Sequence, residues 1–206
     1  MRLIAPALLP VFRSRLQGEL LALLHADASA EWTVHDLAER TGQPYQTVGS
    51  EVRRLETADL VTTRSVGRSK LLRANADSPY SEPLAQLALL TFGPPLVLEE
   101  EFGHLAGVER IFIFGSWAAR YAGETGPAPR DIDVLLVGDP DRDAAYEATR
   151  RAEHRLGREI SLVIRDPETW ASADDGFTRQ LRASALLEID RPSQPGKSSA
   201  DGGLGE

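Results

Sequence analysis

Residues 33–75 read TVHDLAERTGQPYQTVGSEVRRLETADLVTTRSVGRSKLLRAN. Thr33 stands where a helix N-cap belongs, because its hydroxyl can accept from the orphan amides of a first turn. VHDLAERT then predicts a short helix that ends at Gly42, a residue suited to the left-handed backbone past a helix end. Pro44 fits a first helical position, where its fixed φ is helical and its missing N–H would have no partner anyway. The helix it starts runs to about Ala58, with Val48, Val52 and Leu55 on one face. LVTTRSV and SKLLRAN follow, two β-prone runs around Gly67-Arg68, which is a hairpin signal.

Upstream, Leu9, Phe12, Leu16, Leu20, Leu23 and Leu24 recur at helical spacing and predict a helix over 6–26. The opening MRLIAPALLPVF, with two prolines and no small-residue cleavage site, reads as the entry to that helix and not as a signal peptide. Helix, helix, turn, helix and hairpin within 75 residues is the plan of a winged helix-turn-helix, whose second motif helix enters the DNA major groove. Steps of about 100° per residue put Gln46, Ser50 and Arg53 opposite the apolar face, with Thr47 and Arg54 beside them. Gln suits adenine edges, Arg suits guanine edges, and Ser or Thr suits bases or phosphates. The hairpin carries Arg64, Arg68, Lys70 and Arg73 and no acid, which suits a wing that contacts phosphates. The partner this predicts is double-stranded DNA. The plainer alternative is a small helical domain with solvated arginines, or a winged helix that binds protein or RNA.

The stretch 15–75, and above all its "RRLE…LV…GRSKL" run, resembles the arsenic-repressor-like (ArsR-type) winged-helix regulators. The resemblance implies a homodimer on a two-fold DNA site. The metal-sensing cysteines of that family have no counterpart, since the chain has no cysteine.

Residues 76–106 are expected to be a helical linker. One helix spans 78–92, Gly93-Pro94-Pro95 breaks it, and another runs from about Leu96 to Leu105. After it the pattern changes. RIFIFG is a buried-type strand that runs into Gly115-Ser116, and SWAARYA starts a helix. GETGPAP is a loop and DIDVLLVG a second strand. Residues 141–156 predict an amphipathic helix, EISLVI a third strand, 176–184 a last helix, and LLEID follows. The tail 192–206 is Ser/Gly/Pro-rich and predicts disorder. The expected fold class is therefore α+β with two domains: a winged helix-turn-helix over 1–75, then, past the linker, a small mixed sheet with flanking helices over 107–191.

Two carboxylates at i and i+2 on a strand point to the same side. Asp131 and Asp133 do so, with Ile132 and Val134 turned into the core, and paired carboxylates hold Mg²⁺. A strand-to-helix turn of small residues such as Gly115-Ser116 exposes backbone N–H groups suited to phosphate. Either feature alone is more often an ordinary turn or a wet strand end. IFIFGSWAAR followed by DIDVLLVG resembles the minimal nucleotidyltransferases of the DNA polymerase beta superfamily, over about 108–165. By that resemblance Gly115 and Ser116 would hold a nucleoside triphosphate, Asp131 and Asp133 would bind the metals (Mg²⁺ or Mn²⁺), and Arg120 would steady the phosphates or the Asp pair. Catalysis would rest on Asp131, Asp133 and Ser116. Two departures stand out. Fourteen residues separate Ser116 from Asp131, because of the GETGPAP insertion. The position of the family's third carboxylate holds Ser161, with Glu159 two residues earlier on the same face. A serine cannot act as a carboxylate, so the resemblance carries binding further than transfer.

The charge is uneven. Residues 1–75 hold 10 Lys+Arg and 8 Asp+Glu, a net of +2, and the rest hold 13 and 23, a net of −10. Such asymmetry suggests different partners for the two halves. The absence of cysteine excludes disulfides, zinc fingers and thiol catalysis, and agrees with a cytoplasmic location. None of the four histidines shares a metal-ligand spacing with another. No apolar run is long enough to span a membrane. Three functions fit. The first is a DNA-binding regulator whose C-terminal domain binds Mg-nucleotide or transfers a nucleotidyl group. The second is a nucleotidyltransferase that modifies a protein, RNA or small molecule, with the winged helix as targeting module. The third is the antitoxin-like part of a toxin–antitoxin pair, acting on a partner protein. Glu99-Glu100-Glu101 reads as a solvated helix face, and Trp117 reads as core or as a base-stacking ring.

Overall fold

The computed structural model describes residues 12–67, 69–124 and 129–190. The fold is α+β, with one two-stranded and one four-stranded sheet. Helix α1 spans Arg15–Ala26, and the Ser14 hydroxyl caps it by accepting from the Gln17 amide. It starts later than the apolar spacing predicts, because Phe12 and Arg13 precede the cap; the predicted turn over 6–11 lies outside the described residues. Helix α2 (Val34–Thr41) has a reciprocal capping box between Thr33 and Asp36, and Gly42 closes it at φ 64°. Helix α3 (Tyr45–Thr57) begins after Pro44. Strands β1 (Val61–Val66) and β2 (Ser69–Ala74) pair antiparallel with Val66 opposite Ser69. Trp32 bridges to Leu72 and ties this hairpin to the loop before α2.

Helix α4 (Ser81–Phe92) packs along α1. Its Ala88 and Phe92 join Leu20, Leu24, Leu37, Val48, Val52, Leu55 and Leu72 in one buried cluster. Each such aliphatic side chain contributes about 1.5–3 kcal/mol on burial. Helix α5 (Pro94–Phe102) faces the other way and packs on α7 (Arg142–Leu156) and β3 (Val108–Phe114).

The larger sheet runs β5-β4-β3-β6, with β4 at Asp131–Gly138, β5 at Glu159–Arg165 and β6 at Leu187–Ile189. β3 is antiparallel to β4 and to β6, while α7 crosses over so that β5 lies parallel to β4. Period-two alternation sorts the strands onto two faces. Ile111, Ile113, Ile132, Val134, Leu136 and Ile160 lie against α5 and α7. Phe112, Phe114, Leu135 and Val137 lie against Trp170 and Leu181. These last two come from α8 (Pro167–Ser172), a helix absent from the sequence expectation, and α9 (Gly176–Ala183). Short α6 (Gly115–Tyr121) leaves the end of β3. The proposed disordered tail and residues 125–128 of the GETGPAP loop lie outside the described residues. Among the described residues no helix is long and apolar enough to cross a membrane.

Candidate functional site

Two sets of polar residues stand apart from the cores. The first lies on α3 and the hairpin. Because Val48, Val52 and Leu55 are buried, Gln46, Thr47, Arg53 and Arg54 face solvent and Ser50 is half-buried. Arg53 donates to the Ser50 hydroxyl at 2.9 Å, and Arg54 donates to Glu51 at 3.2 Å. Tyr45, 59% exposed at the start of α3, extends the row, although sequence reasoning did not single it out.

The hairpin is acid-free in sequence but not in space. Arg64 makes a two-pronged pair with Glu31, at 2.6 and 2.5 Å, and Lys70 reaches Glu56 at 2.9 Å. The Arg64 guanidinium holds the Glu31 carboxyl below its usual range. Hydrogen bonds from Thr63 and then Lys70 do the same for Glu56. The cations expected to meet phosphate therefore rest on carboxylates from before α2 and from α3. Exposed pairs of this kind are weak, so a phosphate oxygen can replace the carboxylate. Arg68 lies outside the described residues.

The second set gathers where β3 ends and β4 begins. Phe114 pairs with Asp133, which brings the Gly115 turn against the Asp133 side chain. Gly115 has φ +66°, and a Cβ there would lie 2.3 Å from Asp133 Oδ2. Any other residue there would be strained and would push the Asp133 carboxylate aside. Gly115 and Ser116 are exposed, Asp131 is exposed, and Asp133 is half-buried. Burial, and then the neighbouring Asp131, raise the Asp133 carboxyl above its ordinary range. In the parallel register Glu159 lies opposite Asp131, and Ser161 lies opposite Asp133. Among the described residues no group of three His, Cys, Asp or Glu is placed to hold a metal ion. The pair itself suits a hard divalent cation, because two like charges on one strand face relieve their repulsion by sharing it. Arg120 lines a groove of about 430 Å³ beside α4, with Glu82, Gln86 and Tyr121. Trp117 packs in the core, 3% exposed, and its ring lies near Tyr121.

A third group was not legible in the sequence. Glu100 takes Arg15 at 2.8 Å and Arg155, and Glu101 takes Arg151 at 2.7 Å and Arg155 at 2.8 Å. Burial alone would raise the Glu100 carboxyl, but hydrogen bonds from Arg15 and Arg155 outweigh it and hold it low. The acidic run expected to be a solvated face is thus half a tether between α1, α5 and α7. Arg40 of α2 adds to it by donating to the His154 carbonyl at 2.6 Å. Glu51, on α3, is buried against Arg13 and Arg54. An acid flanked by valines and arginines carries no sequence signal that its side chain turns inward.

No protein-family model and no curated protein matches the chain. Among solved structures, a mutant MepR from a multidrug-resistant S. aureus clinical isolate is similar at 21% identity and a TM-score of 0.34, over 39% of this chain and 59% of that one. A second S. aureus MepR mutant, bound to an oligodeoxyribonucleotide, gives 21%, 0.35, 40% and 60%. A mutant ZitR from Lactococcus lactis gives 19%, 0.33, 44% and 60%. The chain thus spans about 60% of the length of the structures it matches. At TM-scores below 0.5 these likenesses define neither family nor function.

Proposed function

We propose that the chain is a DNA-binding transcription regulator of the winged helix-turn-helix, ArsR-like class that carries a nucleotidyltransferase-like domain. In this reading 1–75 bind DNA as a homodimer on a two-fold site, 76–106 connect, and 107–191 bind a nucleoside triphosphate with Mg²⁺ or Mn²⁺ in the cytoplasm. The observation that carries it is the polar row on α3, exposed Gln46, Thr47, Arg53 and Arg54 with half-buried Ser50, beside a basic hairpin. The nucleotide part rests on the glycine turn pressed against Asp133. Asp131 and Asp133 would hold the cation, which would neutralise phosphate charge, and Gly115-Ser116 would sit against the phosphates. We read this site as binding first and transfer second, because the residue opposite Asp133 is Ser161.

Two titrations test the two parts. Specific DNA affinity should fall steeply with salt, with a logarithmic slope of about −0.9 per phosphate neutralised, and Arg53→Ala should weaken it. A flat salt profile would remove the DNA reading. Calorimetry with ATP, GTP, CTP and UTP in Mg²⁺ should show binding that Asp131→Asn/Asp133→Asn abolishes. Nucleotide binding that survives the double substitution would move the site elsewhere.

A further inference from the structure

Between α3 and the elements packed on the larger sheet lies a cleft of about 1080 Å³. One wall is α3, with Gln46, Ser50 and Arg54; the opposite wall is α5 and α7, with His104 just past α5 and Arg155 on α7. The near end is Arg13 and Leu16 at the start of α1. Five arginines line it against three glutamates. Two of those arginines, Arg13 and Arg54, are more than half exposed, and both pair with the same carboxylate oxygen, Oε2 of Glu51.

The other oxygen, Glu51 Oε1, is buried and has no hydrogen-bond partner, on a side chain only 4% exposed. A buried carboxylate oxygen left without a donor is costly and rare in folded proteins. Leu16, Leu23, Phe92 and Val97 give the cleft an apolar floor. A surplus of guanidinium, an acceptor in want of a donor, an apolar floor and the Gln46 amide describe one kind of ligand. It has an anionic end, a flat ring and an N–H on that ring. The volume suits a molecule of that size.

We propose that this cleft binds a nucleoside monophosphate without a metal. The phosphate lies on Arg13 and Arg54 in place of the Glu51 carboxylate, which turns toward the cleft and accepts an N–H from the base over the apolar floor. Gln46, Ser50 and Arg54 also belong to the proposed DNA face, so ligand and DNA compete for the same side chains. The cleft shares no residue with the Asp131–Asp133 site, and the far wall is supplied by α5 and α7, outside the winged helix.

The test is calorimetric titration of the full chain with AMP, GMP, CMP and UMP in EDTA, each variant checked for native circular dichroism. The expected result is binding of at least one of them. Arg54→Ala should weaken it about tenfold or more, a loss of about 1.4 kcal/mol. His104→Glu, a far-wall change that adds a negative charge, should weaken it to a similar extent. Asp131→Asn/Asp133→Asn should leave it unchanged, which separates this site from the triphosphate site. The bound monophosphate should also raise the apparent Kd for DNA in the wild type, and far less in His104→Glu. No binding of any of the monophosphates, binding untouched by both cleft variants, or binding lost in the Asp double variant would each overturn the proposal.

Discussion

The two halves of the molecule arrange charge in opposite ways. In the N-terminal half, Arg54, Arg64 and Lys70 each lie against a carboxylate, and the segment is nearly neutral at +2. In the sheet half, Asp131 and Asp133 share one strand face, with no cation paired to either among the described residues. The first half holds cations already satisfied and ready to exchange one anion for another. Among the described residues, the second holds a pair of anions with no salt bridge to a cation. The difference shows why net charge misleads here: a chain at −8 presents a basic hairpin in one place and an acidic pair in another.

Two glycines share one backbone conformation but not their surroundings. Gly42 has φ +64° with open space around it, and Gly115 has φ +66° with Asp133 in the way. Gly42→Ala should cost about 1–2 kcal/mol, the left-handed backbone alone. Gly115→Ala also forces the Asp133 carboxylate to turn aside and should cost about 1 kcal/mol more than that in thermal or urea unfolding. Equal costs would mean that the turn does not press on the Asp pair.

Next in size is Arg54→Ala, which should weaken specific DNA binding by about 1–3 kcal/mol in an anisotropy titration if Arg54 contacts a base. Arg151→Ala, an exposed arginine on the sheet side, serves as the control and should leave it unchanged. If the two variants behave alike, the DNA face has been placed wrongly.

Asp133→Asn should raise Tm by about 1–2 °C in metal-free buffer, a small gain because the side chain is partly exposed. The sign follows from the raised carboxyl. A raised acid favours the fold when protonated, and that contribution is lost as pH rises above the ordinary Asp range. The gain should therefore be present at neutral pH and vanish on acidification. A variant less stable than wild type at pH 7 would show that Asp133 has a cationic partner.

The smallest effect is expected at the hairpin. Glu31→Gln releases Arg64 from its two-pronged pair, so the salt slope of DNA binding should steepen, by up to about 0.9 if one more phosphate is neutralised. An unchanged slope would mean that Arg64 does not meet the backbone.

Local elements were legible where local chemistry decides them. Thr33, Asp36 and Gly42 announce both ends of α2, and strand β4 runs over the residues its alternation predicts. The later start of α1 is also local, since Ser14 captures the Gln17 amide. Helix α8 was missed because only six residues, capped by Asp166, leave too short a pattern to carry a period.

What the sequence determined by itself is therefore the order of elements apart from α8, the apolar faces and the pairing of Asp131 with Asp133 on one side of a strand. These follow from caps, glycine turns and side-chain period, which act over a few residues. Only the tertiary structure decided which acids meet which bases. Glu31 and Arg64 lie 33 residues apart, and Arg15 and Glu100 lie 85 apart. The same is true of the cleft beside α3, whose walls come from six separate helices. Charges carry no periodicity that names a distant partner, so the packing of α4 on α1 and of α5 on α7 had to bring them together first.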